Sequence, residues 1–461
     1  MSLGFKPTGY GWKRQCLPDW KGERVDLDIE ILVFHPGRQG FFVSKDDGPV
    51  IKERGWTMKE IVSLQEAQGI LLSHCQQVGT EEVELHDALG RVLSEDLKAG
   101  ENIPPFARSP YDGYAFRAAD TAMATREQPV LLSVIEEVPA GYAPQAKVGP
   151  GEAVKVLTGA PIPEGADAVE KYEVTTLTGN QVAIYSGFEP GTNVIPAGED
   201  VVEGEIIGSR GMEISPPLIG LMASLGITRV PVYQQPTIAI ISTGDELLEI
   251  DEPLQPGKIR NSNSHTLAAY CRQMGAKPVI LKTPKDKRDE VGAAIQQGLN
   301  QADMVITTGG VSVGDYDVVK DAVRYINGEI LYWKLNFKPS SMVAAVKDGK
   351  VILSLSGNPA AALMIFQLLG MVFIRKLMGR TDYELPEMQV TLINDFKKPS
   401  PAGRFLRGRL TYREGNTFME LTGVQANGIL SSMIGCNILA EIPAGSGPIP
   451  AGSKLKAYFI G

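Results

Sequence analysis

The chain has 461 residues, 43% of them hydrophobic, and a formal net charge of −9. This length predicts two to four domains, each with a sizeable core, and the acidic balance argues against a general nucleic-acid binder, which needs a basic face. The four cysteines and four histidines are scattered with no Cys-x-x-Cys, so we expect no zinc site. Isolated thiols fit a protein of the reducing cytoplasm. No signal peptide is recognisable, and we expect no membrane partner.

Residues 1–55 mix aromatic side chains with many charges and glycines. Partial alternation over 27–34 and 41–43 predicts a small hairpin appendage, for which the sequence indicates no function. The first helix is predicted to begin at Thr57, because Thr57 and Glu60 have capping-box spacing, and to end at Gly79.

Short β segments dominate from about residue 80 to 233, separated by glycine and proline turns. The segments are 82–85, 129–138, 153–157, 182–184 and 205–207. They predict one or two small β-rich modules, with a helix-bearing part starting near Pro216.

From Thr237 the pattern changes to strands alternating with helices, which indicates a parallel sheet covered by helices. The strand-like runs are 237–242, 278–281, 304–308 and 351–355. The helical stretches lie near 262–274, 286–301, 315–326 and 359–378. The most apolar stretch, 360–374, is too short to span a bilayer and is predicted to be a buried helix.

The β pattern returns after Pro386, over 388–393, 408–412, 417–421 and 455–459, and predicts a small carboxy-terminal β domain.

Three loops of the α/β region combine glycine with polar residues. They cover 242–246, 307–315 and 356–359, and each is expected at the carboxyl edge of the sheet, where open α/β sheets bind ligands. Glycine permits close approach of the backbone, and helix amino termini offer N–H groups to an anion. Any one loop alone is explained as a tight turn with a helix cap, but three at one edge favour an anion pocket.

Side chains in these loops suit the same interpretation. Ser312 and Ser356 offer hydroxyl donors. Asp245, Asp315 and Asp317 offer oxygen ligands for a hard cation, which would suit Mg²⁺ beside a phosphate.

Several motifs, in order and spacing, resemble those of the molybdopterin molybdenumtransferases, a family that includes bacterial molybdenum insertases and the homologous domain of gephyrin. The matching segments read SPYDGYA at 109–115, TGAPIPEGAD at 158–167, GED at 198–200, STGDEL at 242–247, KIRNSN at 258–263 and TGGVSVGDYD at 308–317. The resemblance extends from about residue 56 to 461.

The resemblance implies a multidomain α/β plus β fold with a central parallel α/β pterin-binding domain. The implied domains are a discontinuous linker domain (56–107 and 190–233), an inserted β-rich domain (108–189), the α/β domain (234–384) and a C-terminal β-barrel (385–461). It also implies a homodimer whose active cleft is completed by the partner subunit. The substrates would be adenylylated molybdopterin and molybdate, with Mg²⁺ as cofactor and AMP released. An upstream adenylyltransferase and downstream molybdoenzymes are the implied partners.

The family's motifs also imply roles for individual residues. Asp245 and Asp286 would serve the metal or orient the pterin and phosphate, with Asp315 as a second metal ligand, and Lys320 would neutralise phosphate. Asp112, Thr158 and Glu199 would act from the partner subunit. The remaining candidates for binding pterin, phosphate or molybdate are Gly244, Gly309, Gly310, Ser312, Gly314, Asp317, Lys338, Ser356, Gly357, Asn358, Arg407 and Ser432.

Simpler explanations remain for several of these residues. Arg407 lies in an arginine-rich strand and could be a surface charge, Glu199 could be a solvated turn carboxylate, and Asp112 could belong to an Asp-Gly turn.

Two segments depart from the family's pattern. The family shows Lys-Pro-Gly-Lys-Pro where this chain has KPSSM at 338–342, and Leu-Pro-Gly-Asn-Pro where it has LSGNP at 355–359. Loss of a lysine beside an oxyanion site leaves two alternatives open, which are a molybdopterin-binding or scaffold homologue with weak or no insertase activity and an insertase that prefers tungstate.

Overall fold

The computed structural model describes residues 56–311 and 318–461, together with the short strands Leu17–Pro18, Arg24–Val25 and Ile51–Glu53. Leu17–Pro18 and Arg24–Val25 pair antiparallel. The strands predicted over 27–34 and 41–43 lie outside the described residues.

An eight-stranded sheet forms the centre of the α/β part. Its strands, in spatial order, are Lys277–Ile280, Thr237–Ser242, Met304–Thr308, Lys350–Leu355, Ser341–Lys347, Glu329–Leu335, Trp56–Val62 and Ile51–Glu53. The first four are parallel, as predicted. The other half was not predicted: Ser341–Lys347 runs antiparallel to both neighbours, so the sheet as a whole is mixed.

Helices cover both faces of this sheet. Because side chains alternate along a strand, Ile238 and Ile240 pack on one face while Ala239 and Ile241 pack on the other. The first face is covered by Leu64–Ser73, Asn263–Gln273 and the long helix Pro359–Leu377, and the second by Arg288–Gln301 and Val318–Tyr325. Both faces are therefore dry, which is why the parallel strands are almost continuously apolar.

The first helix begins later than predicted. Trp56–Val62 is a strand that pairs parallel to Glu329–Leu335, and the helix runs over Leu64–Ser73. Its capping box consists of Ser63 and Glu66 rather than Thr57 and Glu60: the Ser63 hydroxyl accepts from the Glu66 N–H at 3.2 Å, and the Glu66 carboxylate accepts from the Ser63 N–H at 2.9 Å.

The apolar stretch near the end of the α/β part forms the buried helix that was predicted. Pro359–Ile365 and Met371–Leu377 are α-helical, and the intervening Phe366–Gly370 is a π-helical turn. The helix is long and apolar enough to cross a membrane, but 89% of its most apolar window is buried inside the protein, as in a core helix.

A separate six-stranded sheet is inserted between residues 113 and 184. Its strands, in spatial order, are Ala168–Lys171, Gly113–Phe116, Glu152–Val156, Val130–Val138, Gln181–Ile184 and Thr176–Thr178. Two small cores form on it, one around Phe116 and Leu132 and one around Val138 and Val154.

Small two-stranded sheets and one helix connect the inserted sheet to the α/β part. The strand pairs are Leu97–Lys98 with Ile206–Gly208 and Thr80–Glu84 with Arg229–Tyr233, and the helix is Pro216–Ser224. This helix starts where it was predicted. Short 3₁₀ turns complete the described elements at Leu85–Asp87, Ala118–Thr121, Tyr172–Val174 and Leu430–Met433.

The carboxy-terminal part is a closed five-stranded barrel, which confirms the predicted fold class. Its strands, in order round the barrel, are Gly403–Arg413, Asn416–Leu421, Glu387–Leu392, Lys454–Phe459 and Ile438–Ile442, and the last pairs with the first. Closure leaves no free sheet edge. A short strand of the α/β part, Phe337–Lys338, pairs with Gly403–Arg404 and joins the barrel to the larger sheet.

Candidate active site

The three predicted loops meet at the carboxyl edge of the sheet. The Thr243 N–H donates to the Thr308 carbonyl at 2.8 Å, and the Gly309 N–H donates to the Leu355 carbonyl at 3.1 Å. A Cβ added to Gly357 would lie 3.5 Å from the Cα of Gly309. One detail of the prediction was wrong, because the first loop leads into the paired strands Leu247–Leu248 and Ile259–Arg260 before helix Asn263–Gln273 begins.

Glycine is required at this edge for two physical reasons. Gly309 and Gly310 have φ of +93° and +67°, in the left-handed region that side chains disfavour. A Cβ at Gly309 would also lie 2.3 Å from the Thr243 carbonyl oxygen. The continuation of this loop, with the candidates Ser312, Gly314, Asp315 and Asp317, lies outside the described residues.

A buried hydroxyl cluster fixes the first strand beneath the loops. Ser242 Oγ donates to Asn261 Oδ1 at 2.9 Å and lies 2.7 Å from Ser264 Oγ and 2.9 Å from Thr308 Oγ1. Sequence analysis gave Asn261 and Ser264 no role. Asn261 belongs to the polar KIRNSN segment at 258–263 and Ser264 directly follows it, and both side chains are buried.

Helix Asn263–Gln273 also begins at this edge. The Asn263 side-chain amide donates to the Gly357 carbonyl at 3.0 Å, so the helix start is tied directly to the third loop.

Carboxylates gather beside the first loop. The Asp286 N–H approaches Asp245 Oδ1 at 3.5 Å, the outer limit of a hydrogen bond. Partial burial, and then the neighbouring charges of Glu246 and Asp245, raise the pKa of Asp286 above its ordinary value. The structure therefore brings together the two acids that were predicted to act together. Within the described parts of the chain, however, no three carboxylate, thiol or imidazole side chains converge to enclose a metal by themselves.

A basic turn lies at the same sheet edge. Strand Ser341–Lys347 runs antiparallel to Lys350–Leu355, with Val343 opposite Ser354, so its first residue lies level with the Ser356 loop. Lys338 precedes Ser341 in this turn, and its exposed amine donates to Ser340 Oγ at 3.1 Å. In the third loop, the Asn358 N–H donates to Ser356 Oγ at 3.2 Å. Antiparallel pairing therefore places Ser341 level with Ser356, and Lys338 lies three residues before Ser341 in the adjoining turn.

Arg407 is not the surface charge that the sequence left possible, because only 1% of it is exposed. Its Nε donates to Ser432 Oγ at 2.8 Å, and its Nη2 donates to the carbonyls of Val424 and Ala426, both at 3.0 Å. No carboxylate in the described residues pairs with it. Burial lowers the pKa of its guanidinium below the ordinary value.

The barrel docks onto the third loop through the same residues. Arg407 Nη1 lies 3.0 Å from the Met364 sulfur on the long helix. The Ala361 N–H, in the first turn of that helix, donates to the Asn427 carbonyl at 3.2 Å. A cavity of about 570 Å³ opens beside Ser432, lined also by Thr422, Ser431 and Arg409. Arg407 and Ser432 are thus held close to the helix that follows the loop at 356–358.

Comparisons with known proteins identify the family. Residues 62–226 match the MoeA N-terminal region (domain I and II), residues 239–376 a probable molybdopterin binding domain, and residues 389–460 the MoeA C-terminal region (domain IV). The chain is 36% identical over 394 residues to the molybdopterin molybdenumtransferase of Bacillus subtilis, covering 84% of this chain and 91% of that one. It belongs to the molybdopterin molybdenumtransferase family.

Two further relatives agree. The molybdopterin molybdenumtransferase of Staphylococcus epidermidis is 34% identical over 393 residues, covering 85% of this chain and 94% of that one. The crystal structure of a molybdopterin biosynthesis MoeA protein from Pyrococcus horikoshii superposes with a TM-score of 0.74 at 31% identity, over 87% of this chain and all of that one.

Lys320 was predicted to neutralise phosphate. It lies on the face of the sheet that Arg288–Gln301 and Val318–Tyr325 cover. Its amine is 5.2 Å from the centre of the Trp333 ring. It also helps to lower the pKa of Glu60, although the larger cause is the hydrogen bond from Lys334. In the described part of the chain, Lys320 therefore lies over the Trp333 ring and interacts electrostatically with the Glu60 carboxylate.

Asp112 and Thr158, predicted separately, are direct partners in the inserted sheet. Asp112 Oδ1 accepts from the Thr158 N–H at 2.7 Å and from its hydroxyl at 2.8 Å. These bonds lower the pKa of Asp112, the backbone bond most and the hydroxyl bond next. Glu199 lies exposed in the connecting region after Gly198, which has a φ of +75°.

Proposed function

We propose that this family member carries out the metal-insertion step of molybdenum cofactor biosynthesis, the transfer of molybdate to the dithiolene of adenylylated molybdopterin with release of AMP. The observation that carries the proposal is the convergence of two kinds of site at one sheet edge. One side has glycine loops and two acids, and the other has a lysine and serine hydroxyls beside a buried arginine.

The glycine side suits the phosphates of the substrate. The absence of side chains at Gly309 and Gly310 lets this loop pack closely against Thr243 and Val319, and the start of helix Asn263–Gln273 adds a positive helix end at the same edge, which favours an anion. Cleavage of a phosphoanhydride depends on positioning and charge neutralisation more than on a covalent nucleophile. The protein's part in this step is therefore to fix the phosphates.

The two acids would supply only part of the coordination of a magnesium ion. Mg²⁺ is commonly bound by one or two carboxylates together with substrate phosphates and water rather than by a complete protein cage. Asp245 and Asp286, with Glu246 nearby, match that donor set. The pKa of Asp286 is raised first by partial burial and then by the like charges of Glu246 and Asp245, and a cation would relieve the repulsion between these charges. When bound, Mg²⁺ would neutralise charge on the phosphates.

The basic side suits a tetrahedral oxyanion. Lys338 offers an exposed ammonium group, and Ser356 and Ser432 offer hydroxyls. Arg407 supports this group from behind, because its donors are engaged with Ser432 and two carbonyls. Its buried positive charge, unpaired by any described carboxylate, favours an anion nearby.

The assembly in the proposal is a homodimer in which Asp112, Thr158 and Glu199 complete the partner subunit's cleft. Their support is the family motif and the position of Asp112 and Thr158 in a separate module. The substrate would come from an upstream adenylyltransferase, and downstream molybdoenzymes would receive the product.

A second candidate function is supported by the 338–342 turn. Ser341 stands where the family pattern that the sequence resembles has its second lysine, and it lies level with Ser356 at the sheet edge. A chain with a weakened oxyanion site would bind molybdopterin without efficient insertion, or would prefer tungstate, an oxyanion of nearly the same shape and charge.

The deciding experiment measures AMP release from adenylylated molybdopterin with molybdate, with tungstate and with neither, at saturating Mg²⁺. We expect release to require the oxyanion and to be largely abolished in Asp245→Asn, since an amide is a far weaker cation ligand than a carboxylate. Asp348→Asn, which alters an exposed carboxylate in a distant turn, is the matched control. Retention of the unchanged ligand under all conditions would favour the binding protein, and normal turnover by Asp245→Asn would refute its assignment.

A further inference from the structure

A second polar cavity, of about 460 Å³, lies where three parts of the chain meet. Helix Asn263–Gln273 starts at the active edge, and its far end lines the cavity at Tyr270 and Arg272, about 10–14 Å along the helix axis. The connecting region contributes Arg91, and the barrel contributes Cys436.

The lining is strongly basic in a protein whose net charge is −9. Four arginines line the cavity together with one glutamate, Glu213, and with the last residue, Gly461. Two of the arginines are committed to carboxylates: Arg91 pairs with Glu81, and Arg380 pairs with both Glu213 and Asp382.

The other two arginines, Arg272 and Arg375, have no hydrogen-bond or ion-pair partner among the side chains that the structure describes. Arg375 is half-buried, and burial together with the neighbouring Arg380 lowers its pKa, while the carboxylates of Asp382 and Glu213 act in the opposite direction. An anion in the cavity would supply the ion pair that the half-buried Arg375 lacks, and the exposed Arg272 lies on the same lining.

Gln367 provides an independent sign of a ligand. It lines the cavity with 1% of its surface exposed, and its Nε2 donates to the Tyr270 hydroxyl at 3.2 Å. Its Oε1 is buried without a partner. Since a tyrosine hydroxyl can donate or accept, one amide atom stays unpaired whichever way the amide is turned. Such a group is costly, so it calls for a functional explanation.

The backbone at Gln367 is also unusual. The residue belongs to the π-helical turn Phe366–Gly370 inside an otherwise α-helical segment. π-Turns are rare and occur frequently at functional sites. The turn places Gln367 in the cavity lining rather than leaving the helix regular.

We propose that this cavity binds a small phosphate monoester, with the phosphate held by Arg375 and Arg272 and contacted by Gln367. The volume exceeds the need of a bare phosphate ion and falls within the range of small-molecule sites. Met274 and Met371 supply apolar surface for the organic group. The site is separate from the proposed oxyanion and pterin sites, so it stands independently of the proposed function.

Binding is tested on the full chain with three probes: AMP, ribose 5-phosphate and inorganic phosphate. Methyl-¹³C methionine labelling reports the cavity directly, with the Met371 and Met274 signals assigned by Met→Leu variants. Titrations in an Asp245→Asn background keep the readout separate from the candidate active site, and calorimetry gives the affinities.

We expect at least one ester to shift both methionine signals and to bind more tightly than inorganic phosphate. Arg375→Gln should weaken that ester about ten- to one-hundred-fold, since a charge-assisted hydrogen bond is lost. Arg413→Gln, an exposed arginine at the end of a barrel strand, should have no effect. Gln367→Leu should weaken binding without lowering the melting temperature.

Three outcomes would overturn the proposal. In the first, the Met371 and Met274 signals do not shift with any probe at about 10 mM, which we take as the upper limit for the dissociation constant of a metabolite site. The second is unchanged affinity in Arg375→Gln. The third is equal affinity for inorganic phosphate and both esters, which would reduce the cavity to a general anion site.

Discussion

Replacement of Arg407 by methionine tests how the barrel is attached to the candidate active site. The guanidinium is 1% exposed and donates to Ser432 Oγ at 2.8 Å and to the Val424 and Ala426 carbonyls at 3.0 Å. Methionine fills similar space next to Met364 but donates no hydrogen bond, so three acceptors lose their charged donor.

Two opposing terms set the size of the effect. Each hydrogen bond from a charged donor contributes roughly 1.5–3 kcal/mol, and a buried acceptor left unpaired costs about 1–3 kcal/mol. Against this, removal of a buried charge that has no carboxylate partner recovers several kcal/mol of desolvation. Because three acceptors are involved and the loop carbonyls can be only partly rehydrated, we expect Arg407→Met to lower the free energy of unfolding by about 3 kcal/mol.

The assay is urea unfolding followed by circular dichroism, with molybdate-dependent AMP release measured on the folded protein. Arg409→Met is the control, since Arg409 lies two residues along the same strand but is exposed. Arg407→Lys should not restore stability, because a single ammonium group cannot reproduce the guanidinium fork. A loss below about 1 kcal/mol in Arg407→Met would show that desolvation outweighs the hydrogen bonds, and the reasoning would be refuted.

Three smaller predictions concern other parts of the chain. Ser341→Lys restores a cation at the proposed oxyanion site and should lower the molybdate concentration for half-maximal AMP release about tenfold; an unchanged value contradicts the placement. Gly379→Ala should lower the free energy of unfolding by about 2–4 kcal/mol in urea titrations, because Gly379 has a φ of +82° and its Cβ would lie 2.3 Å from the Tyr233 ring. Thr158→Val should raise the pKa of Asp112 towards its ordinary 3.8 in an NMR titration, since the hydroxyl bond is lost while the backbone bond remains. A lowered pKa contributes stability that is present above the unfolded value and lost as the pH falls through the folded one, so acid unfolding of the variant should begin at higher pH.

The sequence predicted most accurately those elements whose local pattern and final environment agree. Thr237–Ser242 is an uninterrupted apolar run, and it is buried on both faces of the sheet as such a run indicates. The first helix was misplaced because Thr57–Glu60 and Ser63–Glu66 have the same capping spacing. Pairing of Trp56–Val62 with a strand more than 260 residues away decided between them, and a local pattern carries no information about that partner.

The candidate site also has one part that the local sequence pattern predicts and another part that it does not. Its glycine loops were predictable because a strand followed by glycine at a sheet edge is a local signal. Burial of Arg407 was not, since Arg404, Arg407 and Arg409 look alike in the sequence. Only the carbonyls of Val424 and Ala426, from a loop that folds back across the strand, distinguish the buried member. The hydroxyl cluster round Ser242 was missed for the same reason, because its members, Ser242 included, come from three separate segments.

The long helix Pro359–Leu377 physically links the two proposed sites. Its first turn follows the Ser356 loop, Met364 contacts Arg407, and Gln367 in the π-helical turn lines the second cavity. A ligand that engages Gln367 therefore acts on the same packed element that holds the barrel against the active edge. If that contact changes the affinity for molybdate by some factor, molybdate must change the affinity of the phosphate ester by the same factor, since coupling between binding sites is reciprocal. Calorimetric titration of each ligand in the presence of the other measures this factor twice, and a factor of one would show that the helix does not couple the two sites.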